Sequence, residues 1–375
     1  ALASAMAAEM PKRGRTDDSV EDVIAKRVAA LAVTSTSPVP KAERGGAAGA
    51  GGGDAPGAVI GTHSGTFHCD EALACGMLLL LPEYAGASIT RTREGAYLDE
   101  CDIVVDVGGT YDAAAHRYDH HQRGFEETLE GYDIKLSSAG LVYKHFGRRV
   151  IAEIVGEVSE AHLELLFAKT YKGFIREIDA IDNGVEVAEG DLKYTINTNL
   201  SSRVSRLNPS WNEDTSDDVA NAKFKSAVLL TVTEFIQVVL GFMHRWLPAR
   251  AIVERAVDAA ESVHASGKIL KLERFCPWKG HLYDIEEERG LQGRFVYALY
   301  ADTSGKWRVQ GVPASGPSAF DLRQALPEPW RGVRDDALSE LSGIPGCIFV
   351  HAAGFIGGNA TYEGALAMAV AGLEA

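Results

Sequence analysis

Short apolar runs alternate with longer helical stretches from about residue 58 onward. Val59 and Ile60 open a strand that runs into His63, and after a loop at Ser64–Phe67 the stretch Ala72–Leu81 reads as a helix. Pro82 stops it, because proline lacks the N–H that the next turn needs. Ile89–Arg93 is a second strand, and Ile103–Val105 is a third, wholly apolar, ending at Asp106 before Gly108-Gly109. Leu136–Phe146 reads as a helix that starts near Ser137 or Ser138 and ends before Gly147, and His162–Ile181 as a longer one closed by Asn183-Gly184. Strands alternating with helices predict an α/β fold with a mainly parallel sheet. Asp217–Ser266 is mostly helical, with a break expected at Trp246-Leu247-Pro248. From Lys268 the pattern changes to short strands at Ile269–Leu272, Phe295–Tyr300, Trp307–Val312 and Cys347–His351, then a helix over Tyr362–Leu373. That is a second domain, of α+β type.

The pattern divides the chain into a tail (1–57), an α/β domain (58–210), a helical connector (211–266) and an α+β domain (267–375). The tail is rich in Gly, Ala, Ser and Pro, and is expected to be disordered with at most a short helix near Val20–Val33, since it buries too little to offset chain entropy. Its seven basic and seven acidic residues make it locally neutral. Asp17, Asp18, Glu21 and Asp22 spoil the pattern of a transit peptide. Lys12-Arg13-Gly14-Arg15 is a weak nuclear-targeting candidate that reads better as a solvated cluster. No stretch is expected to span a bilayer: Ala72–Leu81 is about half the needed length, and Glu234 and Gln237 interrupt Ser226–Met243.

A formal net charge of −15 argues against a surface that coats nucleic acid. It leaves room for a nucleic-acid enzyme, because cations bound to a carboxylate cluster reverse its local sign. The five cysteines show no C-x-x-C spacing, so a disulfide framework or structural zinc is not expected, and a reducing compartment fits. Each reads as a small buried apolar side chain.

Candidate chemistry follows the strands, where open α/β sheets place their ligands. The first strand leads into His63-Ser-Gly-Thr-Phe-His68-Cys-Asp70-Glu71, two imidazoles and a carboxylate able to converge, against the plainer reading of a helix cap beside surface histidines. The strand ending at Asp106 offers a bridging carboxylate, and the glycines after it let a substrate approach. In Arg117-Tyr-Asp119-His120-His121-Gln-Arg123, one histidine can bind metal while the other faces substrate. Asp119 can orient an imidazole, and Arg117 and Arg123 can hold phosphate. Asp179 and Asp182 share a helical face near a C-terminus, where acids oppose the helix dipole and so suggest another purpose. Mixed nitrogen and oxygen ligands in this number suit two octahedral ions, Mn²⁺ or Mg²⁺, better than one tetrahedral zinc. Such a pair clamps the attacking and leaving oxygens of a phosphoryl displacement.

GTHSGTFHCDEALAC, DIVVDVGG, RYDHHQRGF, KLSSAGLVYKHFG, IDAIDNG, WLPAR, CPWKGHLY, LPEPWRG and SGIPGCIFVHAAGFIGG together resemble the melanocyte proliferating gene exonuclease family of the DHH phosphoesterase superfamily. The likeness covers about residues 58 to 370. It implies a metal-dependent 3′-to-5′ RNA exonuclease of mitochondria and of the nucleus or nucleolus. By the superfamily pattern His63, His68 and Asp106 hold one ion, and Asp70, Asp106, His120 and Asp182 the other, with Asp119 and Asp179 behind them. His68 stands where many members have Asp, and an imidazole is the softer ligand. His121 would face the scissile phosphate while a hydroxide bridging the ions attacks in line. The second domain resembles the superfamily's substrate-binding domain, in which a glycine-rich loop with a histidine contacts phosphate. Gly357-Gly358-Asn359 has Asn in place of that histidine, and His351 stands nearby. Arg331 and Arg334 are further phosphate candidates, with a cleft between domains gripping sugar and phosphate. The alternatives are a phosphatase acting on pyrophosphate or a short oligonucleotide, with the same ligands, and a non-catalytic RNA-binding protein, which would not need so many.

Overall fold

The computed structural model describes residues 19–44, 57–316 and 321–375. Two compact units divide between Met243 and His244. The boundary falls inside the stretch that the sequence pattern assigns to a connector.

In the N-terminal unit, α1 (Val20–Ala30) starts at Ser19, whose Oγ accepts the Asp22 N–H while the Asp22 carboxylate reaches back to the Ser19 N–H. Then come β1 (Val33–Thr34), β2 (Val59–Thr62), α2 (Cys69–Leu80), β3 (Ser88–Arg91), α3 (Gly95–Asp99), β4 (Ile103–Val105), β5 (Tyr111–Asp112) and β6 (Arg117–Tyr118). Five helices follow: α4 (Ser138–Val155), α5 (Glu160–Thr170), α6 (Arg176–Asp182), α7 (Leu200–Ser205) and α8 (Asp217–Gly241). The strand order is β1-β3-β2-β4-β6-β5, and every neighbouring pair is parallel except β5–β6. This is the α/β unit that the alternating pattern predicts.

Residues 19–44 contain the short helix expected near Val20–Val33, but correct the expectation of disorder around it. β1 extends the sheet beside β3, and Ile24, Val28 and Leu31 are buried, with α1 lying on α2 and α8. The rest of the predicted tail lies outside the described residues. Every residue of α2 is buried, because the sheet side, α4 and α8 enclose it on all sides. Gly76 permits the α2–α8 approach: a Cβ there would sit 2.7 Å from Val232 Cβ.

Two helical expectations change in detail. A π-turn at Tyr171–Ile175 separates α5 from α6 within the predicted long helix. No break occurs at Trp246–Pro248: a π-turn at Phe242–Trp246 leads into the next helix, and Pro248 falls in its first turn, where a missing N–H is tolerated. The helical stretch 217–258 contains a window of mean hydropathy 1.8, long and apolar enough to cross a membrane despite Glu234 and Gln237. Phe224, Val228, Val232, Phe235 and Val239 on α8 are nevertheless buried in the N-terminal unit, as in a core helix.

The C-terminal unit holds α9 (Leu247–Asp258), α10 (Ala260–Val263), β7 (Ile269–Lys271), α11 (Trp278–Arg289), β8 (Tyr297–Ala301) and β9 (Trp307–Gly311). It ends with α12 (Asp335–Ser342), β10 (Cys347–Val350), β11 (Ile356–Asn359) and α13 (Tyr362–Glu374). Its sheet runs β10-β11-β9-β8-β7, antiparallel except for β7–β8. Successive residues face opposite sides of a strand. Accordingly Leu270, Ala298 and Tyr300 join one core with α9 and α11, and Ile269, Tyr297 and Leu299 join the other with α12 and α13.

Candidate metal centre

The carboxyl ends of β2, β4 and β6 carry the polar residues toward one another. The loop after β2 supplies His63 and His68, and the first turn of α2 supplies Asp70 and Glu71. Asp106 follows β4, Asp119-His120-His121 follow β6, and α6 ends on Asp182. Asp106 has φ 59°, a left-handed conformation that costs a non-glycine residue about 1–2 kcal/mol. Its N–H donates to Tyr118 O at 3.1 Å, and Ser138 Oγ lies 3.0 Å from Asp106 Oδ1. These contacts hold the carboxylate where its two oxygens face two different imidazoles.

Asp106 Oδ2 lies 3.3 Å from His63 Nε2, and Asp106 Oδ1 lies 3.3 Å from His120 Nε2. His63 Nε2 is also 3.0 Å from Glu71 Oε1, and His120 Nε2 is 3.1 Å from Asp182 Oδ2. Two octahedral ligands at right angles, each about 2.1 Å from the ion, stand about 3.0 Å apart, close to these separations. Donor atoms of His63, His68, Glu71 and Asp106 all lie within 4.8 Å of one another, as do those of Asp70, His120 and Asp182. Asp106 thus stands between two groups of possible cation ligands.

The residues fit divalent cations. Both oxygens of Asp70, Oε2 of Glu71 and Nε2 of His120 are buried and find no hydrogen-bond partner among the described residues. His120 Nε2 is within ion-pair distance of two carboxylates, yet it is not aligned to donate to either. Burying a carboxylate without a partner costs several kcal/mol. Four carboxylates, Asp70, Glu71, Asp106 and Asp182, carry the charge that two divalent ions would cancel.

The electrostatics show the same deficit of positive charge. Burial pushes Asp70 well above the usual carboxylate range, and the charges of Asp106, Asp182 and Glu71 add to it. Burial and Asp106 also raise Asp182, against the pull of His120. Burial opposes protonation of His63, but Asp106 and Glu71 outweigh it and push the imidazole up to about 10. His120 is raised for the same reason by Asp106 and Asp182. Burial works against the charge on Asp106 too, yet the neighbouring imidazoles of His120 and His63 hold it well below the usual range.

Of the supporting residues, Asp119 accepts from the His121 backbone N–H at 3.1 Å and sits 2.7 Å from its Nδ1, while Gly109 N–H donates to its other oxygen at 2.6 Å. This fixes the ring of His121, which is 61% exposed and lines both cavities at the site. One cavity, about 650 Å³, opens from Asp70, Asp106 and Asp182 toward Asn197, Ser201, Ser202, Ser205 and Arg206. The other, about 280 Å³, is lined by His63, His68, Arg93 and Gly108-Gly109. Asp179 belongs to none of the possible ligand groups. It accepts from Ser137 N–H and Oγ at 3.0 and 2.7 Å, and its burial outweighs those bonds and pushes it up to about 7.

Over residues 59–373 the chain matches the model of MYG1_exonuc, described as an uncharacterised protein family, UPF0160. The chain belongs to the MYG1 exonuclease family. It is 52% identical over 323 residues to the MYG1 exonuclease of Mus musculus, covering 84% of each chain, and 52% identical over 323 residues to that of Homo sapiens, covering 84% of this chain and 85% of the other. Identity to the MYG1 protein of Saccharomyces cerevisiae is 47% over 319 residues, 81% of this chain and 92% of that one.

Two expected site residues of the N-terminal unit are not brought to the centre of this MYG1-family chain. The Arg117 guanidinium is engaged by the carbonyls of Ala115, His116 and Leu98, and it lines neither cavity. Arg123 is exposed and lines neither cavity. The C-terminal candidates lie in the other unit. Gly357 and Gly358 lie within β11 rather than in a loop. Packing explains both: a Cβ at Gly357 would press on Leu326 and Met368, and one at Gly358 on Arg308 and Phe349. Arg331 Nε donates to Leu326 O at 3.0 Å, whereas the Arg334 guanidinium lies over the Phe349 ring. His351 sits in a turn, accepting from Ala353 N–H at 3.1 Å. Glu71, Ser138 and Arg93 are the residues that the sequence pattern leaves unassigned.

Proposed function

We propose that the protein is a two-ion 3′-to-5′ RNA exonuclease. The observation that carries this reading is Asp106, held in a strained conformation with one oxygen toward each imidazole and unpartnered buried carboxylates around it. His63, His68 and Asp106 would hold one ion, and Asp70, Asp106, His120 and Asp182 the other. Bound there, divalent ions such as Mn²⁺ or Mg²⁺ would supply an activated water and neutralise charge on the phosphoryl oxygens.

The chain's own residues do the rest. Asp119 fixes the His121 ring beside the reacting phosphate, where it stabilises the charge that develops on the phosphoryl oxygens. Arg93, in the smaller cavity, meets a non-bridging oxygen or a neighbouring phosphate. The larger cavity has the size of a small-molecule pocket and suits a terminal nucleotide. Its serines, Ser201, Ser202 and Ser205, offer hydroxyls to the sugar, and a 2′-OH is what separates RNA from DNA. The 3′-to-5′ polarity rests on the family resemblance, and the exonuclease names of the mammalian relatives support nucleic-acid hydrolysis.

The test is digestion of 5′-labelled RNA with Mn²⁺ or Mg²⁺, with labelled DNA and pyrophosphate alongside. Wild type shortens the labelled RNA stepwise, and Asp106→Ala loses about 10²–10³-fold in rate or more. Equal rates for the two refute the site. Phosphate release from pyrophosphate with RNA left intact would move the assignment to a small-substrate phosphatase.

A further inference from the structure

We propose that Glu71 is itself an ion ligand, and that the two ion positions differ in kind. This rests on the two-ion reading above. One position is nitrogen-rich, built from His63, His68, Glu71 and the Oδ2 side of Asp106. The other is oxygen-rich, built from Asp70, Asp182, His120 and the Oδ1 side of Asp106.

A plainer role for Glu71 is helix capping. It is the third residue of α2, and its Oε1 accepts the His68 N–H at 2.8 Å. That accounts for one oxygen. It leaves unexplained why Oε1 also lies 3.0 Å from His63 Nε2, and why Oε2, in a side chain that is 0% exposed, is buried with no partner among the described residues. An ordinary capping acid at a helix N-terminus keeps its free oxygen in water. Adjacent helix positions point about 100° apart. Asp70 therefore faces His120 and Asp182, while Glu71 faces His63 and His68. One dipeptide feeds both positions.

The donor sets have different preferences. Two imidazoles with two carboxylates favour a first-row transition ion such as Mn²⁺ over Mg²⁺. One imidazole with three carboxylates accepts Mg²⁺ readily. The nitrogen-rich position therefore retains Mn²⁺ against excess Mg²⁺, and the oxygen-rich one exchanges it.

The experiment counts bound Mn²⁺ on the full chain by electron paramagnetic resonance of the free ion, before and after dialysis against excess Mg²⁺. Wild type is expected to bind two Mn²⁺ and to keep one after dialysis. Glu71→Gln preserves the cap, because a glutamine oxygen still accepts the His68 N–H. It should weaken the retained ion by about 10–100-fold, the scale seen when a supporting group at a metal site is lost, and leave the exchanging one alone. Asp182→Asn should do the reverse. Glu71→Asp, which keeps charge but shortens the reach, should fall between wild type and Glu71→Gln, and circular dichroism of each variant confirms that it is folded. Retention by Glu71→Gln equal to wild type overturns the assignment while the two-ion reading stands. Loss of the same ion from both Glu71→Gln and Asp182→Asn overturns the distinction between the positions. A wild type that binds no pair of ions overturns the two-ion reading itself, and this inference with it.

Discussion

The two units treat a buried acid in opposite ways. In the C-terminal unit Glu286 is 1% exposed, and Arg323 grips both its oxygens at 2.6 Å. In the N-terminal unit Asp70 is equally buried, at 1%, and neither of its oxygens has a hydrogen bond among the described residues. Taking a carboxylate out of water costs several kcal/mol in either place. For Glu286 the chain provides the compensating cation itself, so the pair is structural. For Asp70 the nearest groups include the further acids Asp106, Asp182 and Glu71, which raise the cost. Burial alone therefore does not mark a functional acid. What marks it is a missing counter-charge that the fold holds open for something from outside.

The sharpest way to break this contrast is to neutralise one acid in each unit. Glu286→Gln strands the Arg323 guanidinium and should cost about 3–5 kcal/mol in urea unfolding, with or without chelator. Asp70→Asn removes a charge that the metal-free chain does not compensate, so in chelator it should unfold no more easily than wild type and should be the more stable of the two. Divalent ion should stabilise wild type by mass action and Asp70→Asn far less. Were Asp70→Asn to destabilise the chelated protein as much as Glu286→Gln does, the two acids would be alike and the contrast would fail.

A smaller effect separates Asp179 from its neighbours. Its carboxyl titrates at about 7 in the fold because burial outweighs the Ser137 hydrogen bonds, against an unfolded value near 3.9. Between those values the folded state binds the extra proton, so stability falls as pH rises from about 4 to about 7. Asp179→Asn cannot titrate, yet it still offers an oxygen to Ser137 N–H and Oγ. In chelator, wild type should therefore lose roughly 2–4 kcal/mol relative to Asp179→Asn over that interval, and the two unfolding curves should run parallel outside it. Curves parallel throughout would mean that the carboxyl titrates normally.

The same contrast explains what could be read in the sequence. His63, Asp106, His120 and Asp182 were legible because each sits where a strand or helix ends and the next turn begins. Such positions are visible in hydrophobic periodicity. Glu71 was hidden behind Asp70: sequence spacing cannot show that neighbouring acids on a helix turn to different partners, or that one oxygen is left without a bond. Arg117 misled for the converse reason, since its three carbonyl partners come from the backbone, which no residue type announces. Gly357 and Gly358 read as a phosphate loop but are close-packed strand residues, because sequence shows small size and not what lies above it. In residues 19–44 the short helix near Val20–Val33 was legible, but the Gly/Ala/Ser/Pro bias of the flanking chain hid that Ile24 and Val28 on α1, and Leu31 after it, are buried. The helix α11 carried a usable signal, Trp278, Leu282 and Ile285 ahead of Gly290 in the left-handed conformation, diluted by its many charged residues.

Arg93 gives the smallest predicted effect, and it tests the contrast from the cationic side. Arg323 is occupied by an acid, whereas among the described residues no carboxylate lies within ion-pair distance of Arg93. Its Nη2 instead lies 3.3 Å from His63 Nδ1, a ring nitrogen that also lies 3.1 Å from Ser64 O. When His63 Nε2 holds an ion, Nδ1 carries the proton and donates to Ser64 O, so Arg93 has no acceptor there and its charge is open to a phosphate oxygen. A charge-assisted hydrogen bond is worth about 1.5–3 kcal/mol, and less at an exposed rim. Arg93→Ala should therefore raise KM for RNA about 10-fold with kcat little changed, and Arg93→Lys should recover part of that loss as a point charge without the fork. Mn²⁺ stoichiometry should stay at the wild-type value in both variants. If Arg93→Ala lowers ion occupancy as well, the arginine acts through His63 rather than on the substrate, and an unpaired cation in an acidic site would then mark a support for the metal rather than a seat for phosphate.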